Sequence, residues 1–350
     1  DLVVVSEVLR VSGAASRFEA RNGTALAPLV GREEDMAFLR ERWRLACRAK
    51  GQVVVVCADP GVGKSRIAAA LREELDARQT QVLQYFCSPY HAESPLHPFV
   101  EPLARACAGA PADDTAARIA VLAGLLGVET TQSPQDLGLL FEILSLGASA
   151  SVEPFEGGPQ QKKARLFDML TGHLERAAAT RPVLMIFEDA HWADSTSLEL
   201  LGVMLGRVAG LRVMIVITHR PEFVPPWEEA TALSKVTLDR LDRRAGTLIV
   251  QRVTHGRVLP PVVLEDILAR TDGVPLFIEE LTSSILESGL LRETPAGFEL
   301  TGAFSTLAVP RSLNASLLAR LDRLASVKAI AQTGAAIGRE FGYRLLAEVA

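Results

Sequence analysis

The eight residues Ala58-Asp59-Pro60-Gly61-Val62-Gly63-Lys64-Ser65 carry the spacing G-x-x-x-x-G-K-[ST], with Ala in the first glycine position. A chain so spaced can hold a polyphosphate. Consecutive backbone N–H groups turn inward on the anion, and glycines at 61 and 63 let the backbone approach without a Cβ in the way. Lys64 adds a point charge toward the β- and γ-phosphates, and the Ser65 hydroxyl suits Mg²⁺. The N-terminus of the following helix, which includes Arg66, adds partial positive charge. A second cluster answers the first: the apolar run Val183 to Phe187 ends in adjacent carboxylates, Glu188 and Asp189. One acid can hold a metal's water shell while its neighbour orients or deprotonates an attacking water. We assign Glu188 with Ser65 to Mg²⁺ and Asp189 to the water, although these residue types do not decide which acid meets the metal. A third candidate is Arg220, which follows another apolar run in Thr218-His219-Arg220-Pro221. It could sense a γ-phosphate or be a surface charge before a proline.

These groups need a scaffold, and the flanking residues describe one. Val53 to Val56 reads as a strand, and Ile67, Leu71 and Leu75 recur at helical spacing after the loop. Val183 to Phe187 is apolar throughout, as a parallel strand buried on both faces must be. Its C-terminal end is where ligands bind in open α/β sheets. Gln81 to Ser88, Arg212 to Thr218 and Lys235 to Leu238 supply three more strands. The strand-helix alternation predicts an α/β fold with a doubly wound, parallel, five-stranded sheet. An early helix begins with acidic Glu33 to Asp35 and puts Met36, Leu39, Trp43 and Cys47 on one face against that sheet. Further helices are expected near Val100 to Ala108, Ala116 to Leu126 and Lys162 to Ala179. Residues 89–160 are otherwise the least legible part: PYHAESPLHPF is broken by prolines and GASASVEPFEGGPQQ reads as loop.

After Leu241 the pattern turns helical, with a Gly273-Val274-Pro275 turn feeding one helix and Ala296 to Phe304 alternating like a short strand or hairpin arm. Two more helices are expected over Val309 to Leu324 and Val327 to Gly338. The organisation expected is a linker (1–27), a phosphate-loop domain (28–240), an all-helical domain (241–308) and the start of another domain (309–350). A chain of 350 residues is long enough for two or three domains. Its 48% hydrophobic and 23% charged residues are ordinary for a globular protein. A net charge of -5 gives no footprint for nucleic acid. No apolar run spans a bilayer and no signal peptide opens the chain, so a cytoplasmic location with no membrane partner is expected. Cys47, Cys57, Cys87 and Cys107 lack a C-x-x-C pair and read as reduced thiols. Cys87, His91 and His97 fit no standard zinc spacing, and a loop packed beside the nucleotide is the favoured reading. The first residue is Asp and the last lies inside an amphipathic stretch, as in a piece of a longer polypeptide.

PLVGRE, ADPGVGKSR, CSPYH, FEDAHWAD, THRPEF and DGVPLFIEEL, in this order, resemble the ATPase module of the signal-transduction ATPases with numerous domains. The resemblance is narrower to the branch that joins a class III adenylate/guanylate cyclase, this ATPase and tetratricopeptide-like repeats. It covers nearly the whole chain and is weakest over residues 100–160. It implies ATP or ADP with Mg²⁺ as ligands, an upstream cyclase whose catalytic residues lie outside this chain, downstream repeats, and a homo-oligomer as one assembly. It further implies that Val30, Gly31 and Arg32 lie by the adenine and ribose, that Pro275 contacts the base, and that Arg220 is a sensor arginine. Residues from Val309 would begin a winged-helix domain that transmits conformation. Ala58 and His219 depart from the family's commoner residues without removing a charge. The leading expectation is a Mg²⁺-dependent ATPase switch. The alternatives are a nucleotide-gated scaffold that does not hydrolyse ATP and a transcriptional regulator module.

Overall fold

Valine, isoleucine and other apolar residues fill the interior strands, and their burial sets the strand order. In the computed structural model, β3 (Val183–Glu188) and β4 (Val213–His219) are buried at every position. β1 (Gln52–Cys57) is buried over its four valines. β2 (Gln81–Phe86) and β5 (Leu233–Thr237) are only partly buried. The two poorly covered strands are the edges: the order is β2-β3-β4-β1-β5, with all neighbours parallel. The predicted five-stranded parallel α/β sheet is therefore the sheet observed. The structure describes residues 28–110, 114–127, 134–146, 153–227, 233–295, 297–301, 325–337 and 343–349. The expected linker (1–27) and the helix expected over Val309 to Leu324 lie outside these residues.

The register brings three chain reversals side by side. Cys57 pairs with His219 across β1 and β4, and Phe187 pairs with Ile217 across β3 and β4. The glycine loop after β1, the acids at the end of β3 and the Arg220 turn after β4 thus leave the same C-terminal edge of adjacent strands. That edge is the ligand crevice of open parallel sheets.

Helix α1 (Glu33–Cys47) carries three acids in its first turn, where the helix dipole favours them, and buries Met36, Leu39 and Ala46. Trp43 and Cys47, expected on the same face, are only half-buried. Helix α2 (Lys64–Glu73) follows the loop and stops short of Leu75. Helices α3 (His97–Ala108) and α4 (Thr115–Leu126) lie close to their expected positions. Helix α5 (Pro134–Ile143) falls in a stretch for which the residues predict no element. Its Gly138 explains both the weak helix signal and the packing, since a Cβ there would stand 1.8 Å from the Glu153 carbonyl oxygen. The Arg165 guanidinium of α6 (Pro159–Thr180) donates to both oxygens of the buried Asp136 carboxylate on α5. Helix α7 (Ser195–Arg207) is capped by Asp194, whose carboxylate accepts from the Ser197 N–H at 2.9 Å. The four cysteines are free thiols.

The chain divides into two compact units, one running to Leu238 without residues 61–63, the other comprising Gly61–Gly63 and Asp239–Ala350. The second contains α8 (Arg243–Val253), α9 (Pro261–Thr271), α10 (Pro275–Glu287), α11 (Ala325–Ile337) and α12 (Tyr343–Val349). It is not all-helical. Strands β6 (Leu291–Thr294) and β7 (Gly297–Leu300) form an antiparallel hairpin. The residues predict the second arm of this hairpin, within Ala296 to Phe304, but not the first. Gly273, between α9 and α10, has φ +70, and a Cβ on it would lie 2.2 Å from the Leu241 carbonyl oxygen. Its own carbonyl accepts from the Leu241 N–H at 2.8 Å. Gly273→Ala is therefore expected to destabilise the second unit by at least about 2 kcal/mol, from left-handed backbone strain plus the clash. Urea unfolding beside wild type checks this; an unchanged midpoint would contradict it.

Candidate nucleotide-binding site

The turn after β1 has the backbone that the glycines were expected to permit. Gly61 has φ +82 and Gly63 φ +114, conformations that cost an L-residue with a side chain. Among the described residues, a Cβ on Gly63 would meet nothing within 4 Å. Gly61 is close-packed: its added Cβ would lie 3.1 Å from Val274 and Leu276, and its carbonyl accepts from the Leu276 N–H at 3.3 Å. Val62 between them is buried. Lys64, the first residue of α2, is buried and folds back so that Nζ donates to the carbonyls of Ala58 at 2.7 Å and Asp59 at 3.2 Å. Burial lowers its pKa; the Asp189 charge opposes this and the Arg220 charge adds to it. Three candidate residues are thus close enough to share one field.

Glu188 is 5% exposed and closes β3. Burial raises its pKa, while hydrogen bonds from the Ser65 hydroxyl and the Gln84 amide act in the opposite direction. Gln84 Nε2 donates at 3.1 Å, and Arg72 Nη1 donates to Gln84 Oε1 at 2.8 Å. The chain Arg72 to Gln84 to Glu188 orients one carboxylate oxygen from the edge strand. Asp189 then leaves the sheet at φ +58, with its N–H donating to Thr218 Oγ1 at 2.9 Å. Aspartate is among the few residues with a side chain that adopt this conformation readily. The strand end accordingly projects its two acids differently, one held in the protein and one turned out of the strand.

Arg220 follows β4. Its guanidinium lies 4.9 Å from the Trp192 ring centroid and 3.8 Å from Glu222. The guanidinium is partly buried and its charge acts on Lys64. His219 is buried, with Nδ1 2.7 Å from the Arg220 carbonyl oxygen, so a polar imidazole fits where an aromatic residue is commoner.

The site therefore gathers Lys64, Ser65, Glu188, Asp189 and Arg220. Pro60 precedes the glycine turn, and Arg66 on α2 lies 3.5 Å from Glu73. Val30, Gly31 and Arg32 stand at the entrance to α1; Gly31 has φ +64, and buried Arg32 lies 3.7 Å from Asp35. Pro275 opens α10, next to the Leu276 amide that bonds Gly61. Sequence reasoning gave no role to Gln84, Thr218 or His191. A polar residue on a strand reads as solvent-facing, and only the pairing of β2 with β3 brings Gln84 to Glu188. Stacked His91 and His97 rings lie 3.6 Å apart, but among the described residues no three His, Cys, Asp or Glu side chains are placed to hold a metal. The hydroxyl, the carboxylates and the open space at Gly63 fit Mg²⁺ carried in with a polyphosphate, because Mg²⁺ takes few protein ligands and keeps phosphate and water oxygens.

A parallel sheet with a glycine-lysine-serine loop at its C-terminal edge defines the P-loop NTPase class. The family model described as AAA ATPase domain matches residues 28–217, and the chain belongs to that family. An uncharacterized protein of Rhizobium meliloti (strain 1021) is 28% identical over 327 residues, covering 91% of this chain and 30% of the relative. The chain thus spans less than a third of that relative's length. Among solved structures, a signal-transduction ATPase with numerous domains that has a tetratricopeptide repeat sensor, from Pyrococcus horikoshii, is 14% identical. It has TM-score 0.43, with 77% of this chain and 31% of that one covered. A Walker-type ATPase of Pyrococcus abyssi is 16% identical, with TM-score 0.44 and 75% and 69% coverage. Among the described residues, no helix is long and apolar enough to cross a membrane.

Proposed function

We propose that this chain is the nucleotide-driven switch module of a multidomain signalling protein, binding ATP or ADP with Mg²⁺ and hydrolysing ATP slowly. The observation that carries the proposal is the convergence of Lys64, Ser65, Glu188, Asp189 and Arg220 on one edge of three neighbouring strands. Lys64 and the backbone from Pro60 to Arg66 bind the phosphates. Ser65 and Glu188 hold the metal, and Asp189 takes or orients the proton of the attacking water. Arg220 stabilises charge on the γ-phosphoryl group. Bound Mg²⁺ supplies further neutralisation of that charge. Val30, Gly31, Arg32 and Pro275 take the base and ribose. The motif resemblance supports an upstream class III cyclase, downstream tetratricopeptide-like repeats and a cytoplasmic location. It also supports the division into a linker (1–27), ATPase domain (28–240), helical domain (241–308) and winged-helix start (309–350). The finding that this chain matches 30% of its Rhizobium relative supports a larger assembly.

One observation favours a second reading, a scaffold that keeps its nucleotide. Buried Glu188 already accepts from Ser65 and Gln84, so part of its acceptor capacity is taken up within the protein before a metal arrives. Calorimetry with Mg·ATP and ADP, followed by steady-state phosphate release, separates the readings. Binding with turnover is expected; binding with persistent ATP and no phosphate indicates the scaffold. Folded, nucleotide-free protein that binds neither ligand excludes both.

A further inference from the structure

His191 lies on the 3₁₀ turn Ala190–Trp192 that follows Asp189. Both ring nitrogens are removed from solvent, and neither has a hydrogen-bond partner among the described residues. A buried polar group without a partner calls for an explanation, since nearly all such groups in folded proteins are paired. Its surroundings indicate the missing chemistry. The ring centroid lies 4.5 Å from that of Trp192, the two planes tilted at 46°, and the Arg220 guanidinium lies over the same tryptophan. The charged and titratable groups acting on it are Arg220, Lys64, Glu222 and His219, of which the first two are the cations already placed at this sheet edge. Burial and those two cations hold the imidazole pKa down at about 4, so the ring is neutral near pH 7 and offers one N–H donor and one acceptor. A lone neutral donor among cations matches an anionic oxygen, and the loop is built to deliver one.

We propose that His191 donates a hydrogen bond to the terminal phosphoryl group of a bound nucleoside triphosphate and so distinguishes triphosphate from diphosphate. This rests on the nucleotide-binding reading above. The geometry behind it is a polar ring left unpaired among the described residues, on the turn that Asp189 begins, beside the tryptophan over which Arg220 lies. The turn that carries the ring is itself fixed: the Asp189 carbonyl accepts from the Trp192 N–H at 2.9 Å, and the Asp189 N–H donates to Thr218 Oγ1.

Calorimetric titration of the 350-residue chain with Mg²⁺ plus either ADP or the non-hydrolysable β,γ-imido analogue of ATP tests it, using wild type, His191→Ala and His191→Gln. The alanine variant is expected to bind the ATP analogue roughly tenfold more weakly, as for one hydrogen bond to a charged acceptor, while ADP stays within twofold. His191→Gln, which keeps a donor, should recover most of the difference. In wild type, the ring carbon resonance absent from the His191→Gln spectrum should move with the ATP analogue and stay with ADP, a readout that does not require the alanine variant to fold. Equal weakening of both ligands, no change in either, or a ring signal indifferent to the ATP analogue would each overturn the proposal. Wild type binding neither ligand would instead defeat the nucleotide-binding reading itself.

Discussion

Lys64→Ala is expected to weaken Mg·ATP binding by about 10²- to 10³-fold while leaving the fold in place. A unit charge about 4 Å from a phosphate oxygen, at the effective dielectric typical of protein sites, is worth up to about 4 kcal/mol. The Lys64 ammonium is already inside the loop, bonded to the Ala58 and Asp59 carbonyls, so little rearrangement is needed for it to serve the anion. Truncation forfeits two hydrogen bonds but also removes a buried charge whose lowered pKa records a desolvation cost. The two changes offset to within about 1 kcal/mol in the empty protein. Calorimetry measures the binding loss and a thermal melt checks the fold. An affinity within threefold of wild type in a folded variant would remove Lys64 from the site.

The second large effect falls on turnover. Asp189→Asn should lower phosphate release about 10²- to 10³-fold while changing ATP affinity by no more than a few-fold, because the water loses its base and the nucleotide loses no contact. Asparagine is the informative substitution. It also tolerates the left-handed backbone at this position and leaves the N–H to Thr218 Oγ1 undisturbed, so charge is the main property removed. Glu188→Gln is the companion variant: with Glu188 on the metal, it raises the Mg²⁺ concentration needed for half-maximal turnover, and Asp189→Asn does not. Wild-type turnover in Asp189→Asn, or a Mg²⁺ requirement shifted by Asp189→Asn alone, would reverse these assignments.

Much of this arrangement was legible in the residues because its physics is local. Val53 to Val56 and Val183 to Phe187 announced interior strands by having no polar alternation. The loop declared itself by spacing that backbone geometry enforces. What stayed hidden depended on distant pairing. Nothing near Gln84 indicates Glu188, 104 positions away, until β2 lies against β3. Helix α5 was missed because Gly138 and the surrounding glycines and prolines suppress a helical signal, although that glycine is required where the chain passes against the Glu153 carbonyl. Strand β6 (Leu-Arg-Glu-Thr) has too few apolar residues to separate it from the helix before it. His191 stood inside the FEDAHWAD motif, but its lack of a partner is a property of the folded surroundings and not of the motif.

The central place of β1 has a consequence for how the protein is made. Gln52 is registered against Met214 on one side, and Val53 against Leu233 on the other. The ribosome therefore releases a valine-rich segment whose neighbours it has yet to synthesise. At ordinary elongation rates the interval is roughly 10–30 s, during which four adjacent valines stay unsheathed in the nascent chain. Until β4 arrives, the loop that follows β1 has no sheet edge to stand on, so nucleotide can be captured only late in synthesis, after the acids at the end of β3 have already emerged.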